Sequence, residues 1–171
     1  MSTMISQSLL PEFDMEMANT RRTLVVVPEA EGAYMPHPKS MTLRRLAGHV
    51  AEMPVWAVMT LAQDHLDMRP NGQPAFKAYE LTKTADAVAY FDENLRQARA
   101  LLAAATDETL MRPWSLQDNG TTLMTLPKIA VLRSFVMNHM IHHRAQLGVY
   151  LRLNDVPVPG TYGPSADEGN M

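Results

Sequence analysis

A chain of 171 residues with 46% hydrophobic and 19% charged residues is long enough to bury a substantial single core. A formal net charge of −3 with no Lys/Arg block argues against a nucleic-acid partner, and no apolar stretch approaches the ~20 residues that span a bilayer. Cysteine is absent, which excludes disulfides, thiolate zinc knuckles and a cysteine nucleophile. Any metal must therefore be held by imidazole and carboxylate, and any thiol must arrive with a substrate.

The N-terminal stretch MSTMISQSLLPEFDMEM has neither the basic region nor the apolar run of a signal peptide, and a cysteine-free chain suits the cytoplasm. Helical spacing of Leu10, Phe13, Met17 and Leu24 predicts a first helix from Ser8 to Val27, with Pro11 in its first turn. Pro28 to Ser40 reads as a connecting loop. Leu43, Leu46, His49, Val50, Met53, Trp56 and Ala57 form the apolar stripe of a second helix from Thr42 to Asp64. Pro54 cannot donate to the Val50 carbonyl, which predicts a kink or a break there.

Arg69 to Phe76 is a turn-rich excursion. Ala85, Val88, Leu95 and Leu102 predict a third helix over Thr82 to Ala105. Glu108 to Leu126 reads as irregular chain or a short hairpin turning at Asn119-Gly120. A fourth helix is expected from Pro127 to Leu153, with Asn154 as its left-handed stop. The pattern describes one all-α domain over residues 1–171, a four-helix bundle, with a Pro/Gly-rich tail from about residue 155. The 14 methionines read as packing material between helices, and the pairs Arg21-Arg22 and Arg44-Arg45 as solvated helix faces.

Three of the six histidines fall within five residues of the fourth helix: His139, His142 and His143. At about 100° per residue, His139 and His143 lie about 40° apart in the apolar stripe, with Leu132, Val136, Leu147 and Tyr150. His142 falls about 60° to the other side, beside Phe135 and Val149, while Arg144 and Arg152 face solvent. Two imidazoles one turn apart converge on one point, the spacing by which helices hold zinc, and two satisfied core histidines are the competing reading. His49, central in the apolar stripe of the second helix, reads alone as a satisfied core residue, but with an imidazole pair on a facing helix it is a natural third member of a cluster. His37 and His65 read as surface residues.

Three stretches, LRRLAGHVAEMPVW (Leu43 to Trp56), RPWSL (Arg112 to Leu116) and NHMIHHRAQLGVYLRLNDVPVPGTYGP (Asn138 to Pro164), resemble the DinB/YfiT family over nearly the whole chain. The resemblance implies an up-and-down four-helix bundle with long crossover connections. It also implies a divalent metal held by His49, His139 and His143, with His142 outside the ligand set, and it makes homodimerisation an expectation. Thiol-dependent S-transferases and a mycothiol-dependent isomerase are among the relatives it brings in.

Three imidazoles leave a coordination position open, the pattern of a catalytic or ligand-binding site. Zinc or nickel suits such a site, and manganese or iron is compatible with it. The resulting expectation is a metal-dependent transferase that activates a low-molecular-weight thiol, or a water, against a small-molecule substrate. A metal-dependent hydrolase and a non-enzymatic, metal-stabilised ligand-binding or stress-response protein are the alternatives. Trp56, Met53 and Tyr150 are expected to line the pocket, and Asn138 and Gln146 to orient imidazoles. Glu52 reads as a solvated helix residue, with an acid/base role as the competing assignment.

Overall fold

A computed structural model describes residues 2–169. The chain is mostly helical, in the order α1 (Met4–Val25), α2 (Leu43–Ala51), α3 (Met53–Ala62), β1 (His65–Asp67), α4 (Thr84–Ala104), α5 (Asp107–Met111), β2 (Pro113–Asp118), β3 (Thr121–Pro127), α6 (Lys128–Val131) and α7 (His139–Leu153). A π-helical segment, Leu132–Asn138, joins α6 to α7. None of the described helices is long and apolar enough to cross a membrane.

α1 begins four residues before the expected start, so Pro11 lies inside it on the exposed side. The expected second helix is divided at Glu52. Pro54 occupies the first turn of α3, where its missing N–H costs nothing. α1 packs on α4 and α7, α3 on α4, and α2 on α7. Their buried faces share one core that includes Phe13, Met17, Leu46, Phe91, Val136 and Leu147. The methionines divide: Met17, Met53, Met137 and Met140 are core, whereas Met4, Met15 and Met111 are exposed.

The chain is not purely helical. β2 and β3 form the hairpin, turning through Asn119 (φ 49°) and Gly120 (φ 78°), and β1 pairs in parallel with β2. The Asp67 carboxylate accepts hydrogen bonds from the Asn119 and Gly120 amides at 2.9 and 2.8 Å, tying β1 to the hairpin turn. Trp114, Leu66 and Val131 form a second, smaller core beneath this sheet. The partner of β2 lies some fifty residues away in sequence, which is why periodicity shows the hairpin and not the third strand.

The helix stop also differs. Asn154 has φ −110°, and the left-handed residue is Asp155 at φ 56°. Asn154 instead donates its side-chain amide to the Tyr150 carbonyl. Arg144, expected at the solvent, is 4% exposed. Its guanidinium lies 2.7 Å from Glu16 Oε2 of α1 and donates to the Glu16 carbonyl, to Thr20 Oγ1 and to the Tyr162 hydroxyl. α7 is covered by α2 on one side and by α1 on another, so a single-helix wheel misassigns the second covered face.

Candidate metal centre

The π-helical segment ends at Asn138, immediately before the first histidine of α7. Such wide turns shift the register of side chains on the helix that follows. α7 and α2 pack together, and His49 Nε2 lies 3.3 Å from His139 Nε2, which is 2.9 Å from His143 Nε2. One donor atom from each ring falls within 4.8 Å of the others. Ligand nitrogens at a usual metal distance of about 2.0–2.1 Å sit about 3.3 Å apart in a tetrahedron and about 2.9 Å apart in an octahedron. The His49–His139 and His139–His143 spacings fall on that scale.

Two of the other ring nitrogens are already engaged. His49 Nδ1 is 2.7 Å from Glu52 Oε1, and His143 Nδ1 is 2.7 Å from Gln146 Oε1. A carboxylate and an amide oxygen only accept, so His49 and His143 carry their protons on Nδ1 and turn bare Nε2 lone pairs to the centre. Lone pairs facing one another at these distances repel unless a proton or a cation lies between them. One proton can bridge one pair; a cation satisfies all three. Burial pushes the His143 ring down to about 4 against the Gln146 hydrogen bond, with charge on His49, His139 and His142 adding to the fall. Burial, then His49, lowers His139 in the same way. Neutral imidazole is the ligand form, and the three-histidine group can hold a metal ion.

Glu52 is not the solvated residue expected from sequence. It is 7% exposed, with Oε1 between His49 and the Arg45 guanidinium and Oε2 accepting from the Tyr79 amide at 3.0 Å. Burial pushes its carboxyl up, but the hydrogen bonds from His49 and Tyr79 and the Arg45 charge together hold it below the usual range. Arg45 is likewise no free surface charge, since it also donates to the Tyr79 carbonyl. The spacing His-x-x-Glu on one helix was the available signal, because residues three apart share a face.

Two clefts reach the histidines. The larger, about 520 Å³, is lined by His49 together with Trp56, Phe76, Met68, Pro74 and Leu123. The smaller, about 260 Å³, exposes His143 with Gln146, Tyr150, Ser40 and Lys39. Trp56 and Tyr150 therefore line clefts, whereas Met53 is fully buried in the core. Asn138 is exposed and bonds none of the three rings; His142 is exposed and packs edge-on against His143. His65 and His37 are both exposed. A third cleft, of about 400 Å³, lies between α7 and the tail and includes none of the three histidines. The tail folds back on α1 and α7, where Asn19 and Arg22 bond the Thr161 and Gly160 carbonyls, and does not cover the histidines.

Among solved structures the chain is similar to a DinB-like protein from Bacillus cereus ATCC 10987, with a TM-score of 0.70, 21% identity, and coverage of 91% of this chain and 97% of that one. It is similar also to a DinB-like protein from Bacillus subtilis, with a TM-score of 0.66, 19% identity, and coverage of 95% and 99%. Among curated proteins none matches. At these identities the two structures speak for the fold alone, but the family pattern of DinB matches residues 1–170, and the chain belongs to the DinB family.

Proposed function

We propose that this protein is a metal-dependent transferase that activates a low-molecular-weight thiol, or a water, at an open three-histidine site. His49, His139 and His143 would hold the ion, with zinc or nickel the best match to three imidazoles. The observation that carries the reading is the convergence of three Nε2 atoms, with the Nδ1 atoms of His49 and His143 already bonded elsewhere. Protein ligands number three, where a structural zinc site closes with four. A bound divalent cation lowers the pKa of a thiol or a water and so supplies a nucleophile at neutral pH.

The chain's own residues do the rest. Glu52 and Gln146 fix two of the rings. Trp56 and Phe76 stand edge to face, centroids 5.8 Å apart, and give the larger cleft an apolar wall. In the transfer, the thiol sulfur bonds the electrophilic carbon, the leaving group departs with the bonding pair, and the thiol proton passes to solvent. The helices read as an up-and-down four-helix bundle with long crossovers, and a homodimer in solution belongs to the same proposal.

The test is to incubate protein loaded with zinc, nickel or manganese with a panel of thiols and alkylating electrophiles. A rate no higher than that of His49→Ala would defeat the transferase. A second reading, a non-enzymatic metal-stabilised binding protein, draws on the cluster joining α2 to α7 across ninety residues of chain. It is favoured if chelation unfolds the protein and no thiol or water reaction is found.

A further inference from the structure

Resting on the transferase reading, we infer that the two clefts at the histidine cluster are separate subsites of opposite chemistry. The larger takes an uncharged, apolar substrate. The smaller takes the anionic end of a hydrophilic co-substrate, with Lys39 as its counter-charge.

The larger cleft is walled by Trp56, Phe76, Met68, Pro74, Ala78 and Leu123. It also contains four charged groups, yet they cancel in pairs. Arg45 is bonded to Glu52, and Arg69 forms a two-point pair with Asp118 at 2.6 Å. Away from the histidines, a charged group on the ligand must break an existing pair or lose its hydration unpaired, and either cost selects against it along that wall. An apolar one meets aromatic faces already in place.

The smaller cleft differs in kind. Lys39, Ser40, Gln146 and Tyr150 share it with His143, and among the described residues the Lys39 ammonium has no ion-pair partner. The loop that presents Lys39 is built and held. The Lys39 amide donates to His37 Nδ1 at 3.1 Å, the Ser40 amide to the His37 carbonyl at 2.8 Å, and the Tyr150 hydroxyl to the Met41 carbonyl at 3.1 Å. His37, a surface residue by sequence, thus shapes the turn beside the site. The two clefts share no residue, and each exposes a different ring of the same cluster. Two reactants can therefore approach one centre without competing for space.

The test titrates zinc-loaded full-length protein by calorimetry with 3-mercaptopropionate, which is anionic, and 2-mercaptoethanol, which is neutral. An uncharged naphthalene dye, followed by its emission, probes the apolar cleft in parallel. The wild type should bind the anionic thiol more tightly. Lys39→Met should lower that affinity about threefold and Lys39→Glu about tenfold, the scale of one and two exposed charge contacts, with the neutral thiol changed less than twofold. Phe76→Ala should weaken dye binding and leave both thiol titrations unchanged. If thiols bind but Lys39→Glu leaves their ratio unaltered, or if Phe76→Ala removes the thiol, the subsite assignment is overturned and the transferase reading stands. If neither thiol gives saturable heat, activation of a thiol falls, and the assignment of the smaller cleft falls with it, leaving only water activation at the centre.

Discussion

Glu52 offers the sharpest test of how the site is held. Its carboxylate is the common acceptor for the His49 ring, the Arg45 guanidinium and the Tyr79 amide. Glu52→Ala leaves two shielded donors without acceptors, each costing about 1–3 kcal/mol. Arg45 is a quarter exposed and can turn toward water, so its loss adds little. The expected destabilisation is about 3 kcal/mol, or about 6–12 °C in Tm for a chain of this length. Glu52→Gln keeps the volume and one accepting oxygen and should cost about 1–2 kcal/mol. Because the ring of His49 loses its fixed orientation and proton position, zinc affinity should fall about 10–100-fold in Glu52→Gln. The assays are thermal denaturation of the metal-free protein and zinc competition against a chromogenic chelator. Zinc affinity within twofold of the wild type would refute the reasoning. A pH arm follows from the same contacts. The folded carboxyl is held below its unfolded value, so its contribution is present above the unfolded pKa near 4.5 and lost as pH falls through the folded one. The acid destabilisation below about pH 4.5 should be shallower in Glu52→Gln.

Elemental analysis after metal loading should find one equivalent on the wild type and on His142→Ala, and none on His49→Ala, His139→Ala or His143→Ala; retention by any of these three would contradict the ligand set. Arg144→Met leaves the buried Glu16 without its counter-charge, bonded only by the Tyr162 hydroxyl, which should cost about 3 kcal/mol in denaturant unfolding, while Glu16→Gln/Arg144→Met recovers part of that loss. An equal loss in single and double variants would show that packing, and not charge, sets the value. Gly48→Ala should destabilise by about 1–3 kcal/mol despite the better helix propensity of alanine, because the new Cβ would sit 2.3 Å from the Tyr79 carbonyl oxygen. A raised Tm in that variant would mean that the crossover backbone yields easily.

Local sequence determined a good deal here. The 3.6-residue period located the long helices, Pro54 located the break between α2 and α3, and Asn119-Gly120 located the hairpin turn. Each of these depends on residues only a few positions apart. The pairing of His139 with His143 was legible for the same reason, since one helical turn brings them together. That His49 meets them depends on which faces of α2 and α7 come together; its place in the apolar stripe made the meeting natural, and the family resemblance implied it.

Tertiary structure alone decided which charges are buried. Arg144 and Glu16 are separated by more than a hundred residues, and neither has a local reason to leave water without the other. Glu52 reads as an exposed helix residue until the crossover lays the Tyr79 amide and carbonyl against α2, at the point where Gly48 leaves room. The parallel strand β1 and the division of the site into an apolar cleft and a cationic one arise in the same way. A charge or a strand is stabilised by partners that only the closed chain brings near, and a one-dimensional pattern records the residue but not its partner.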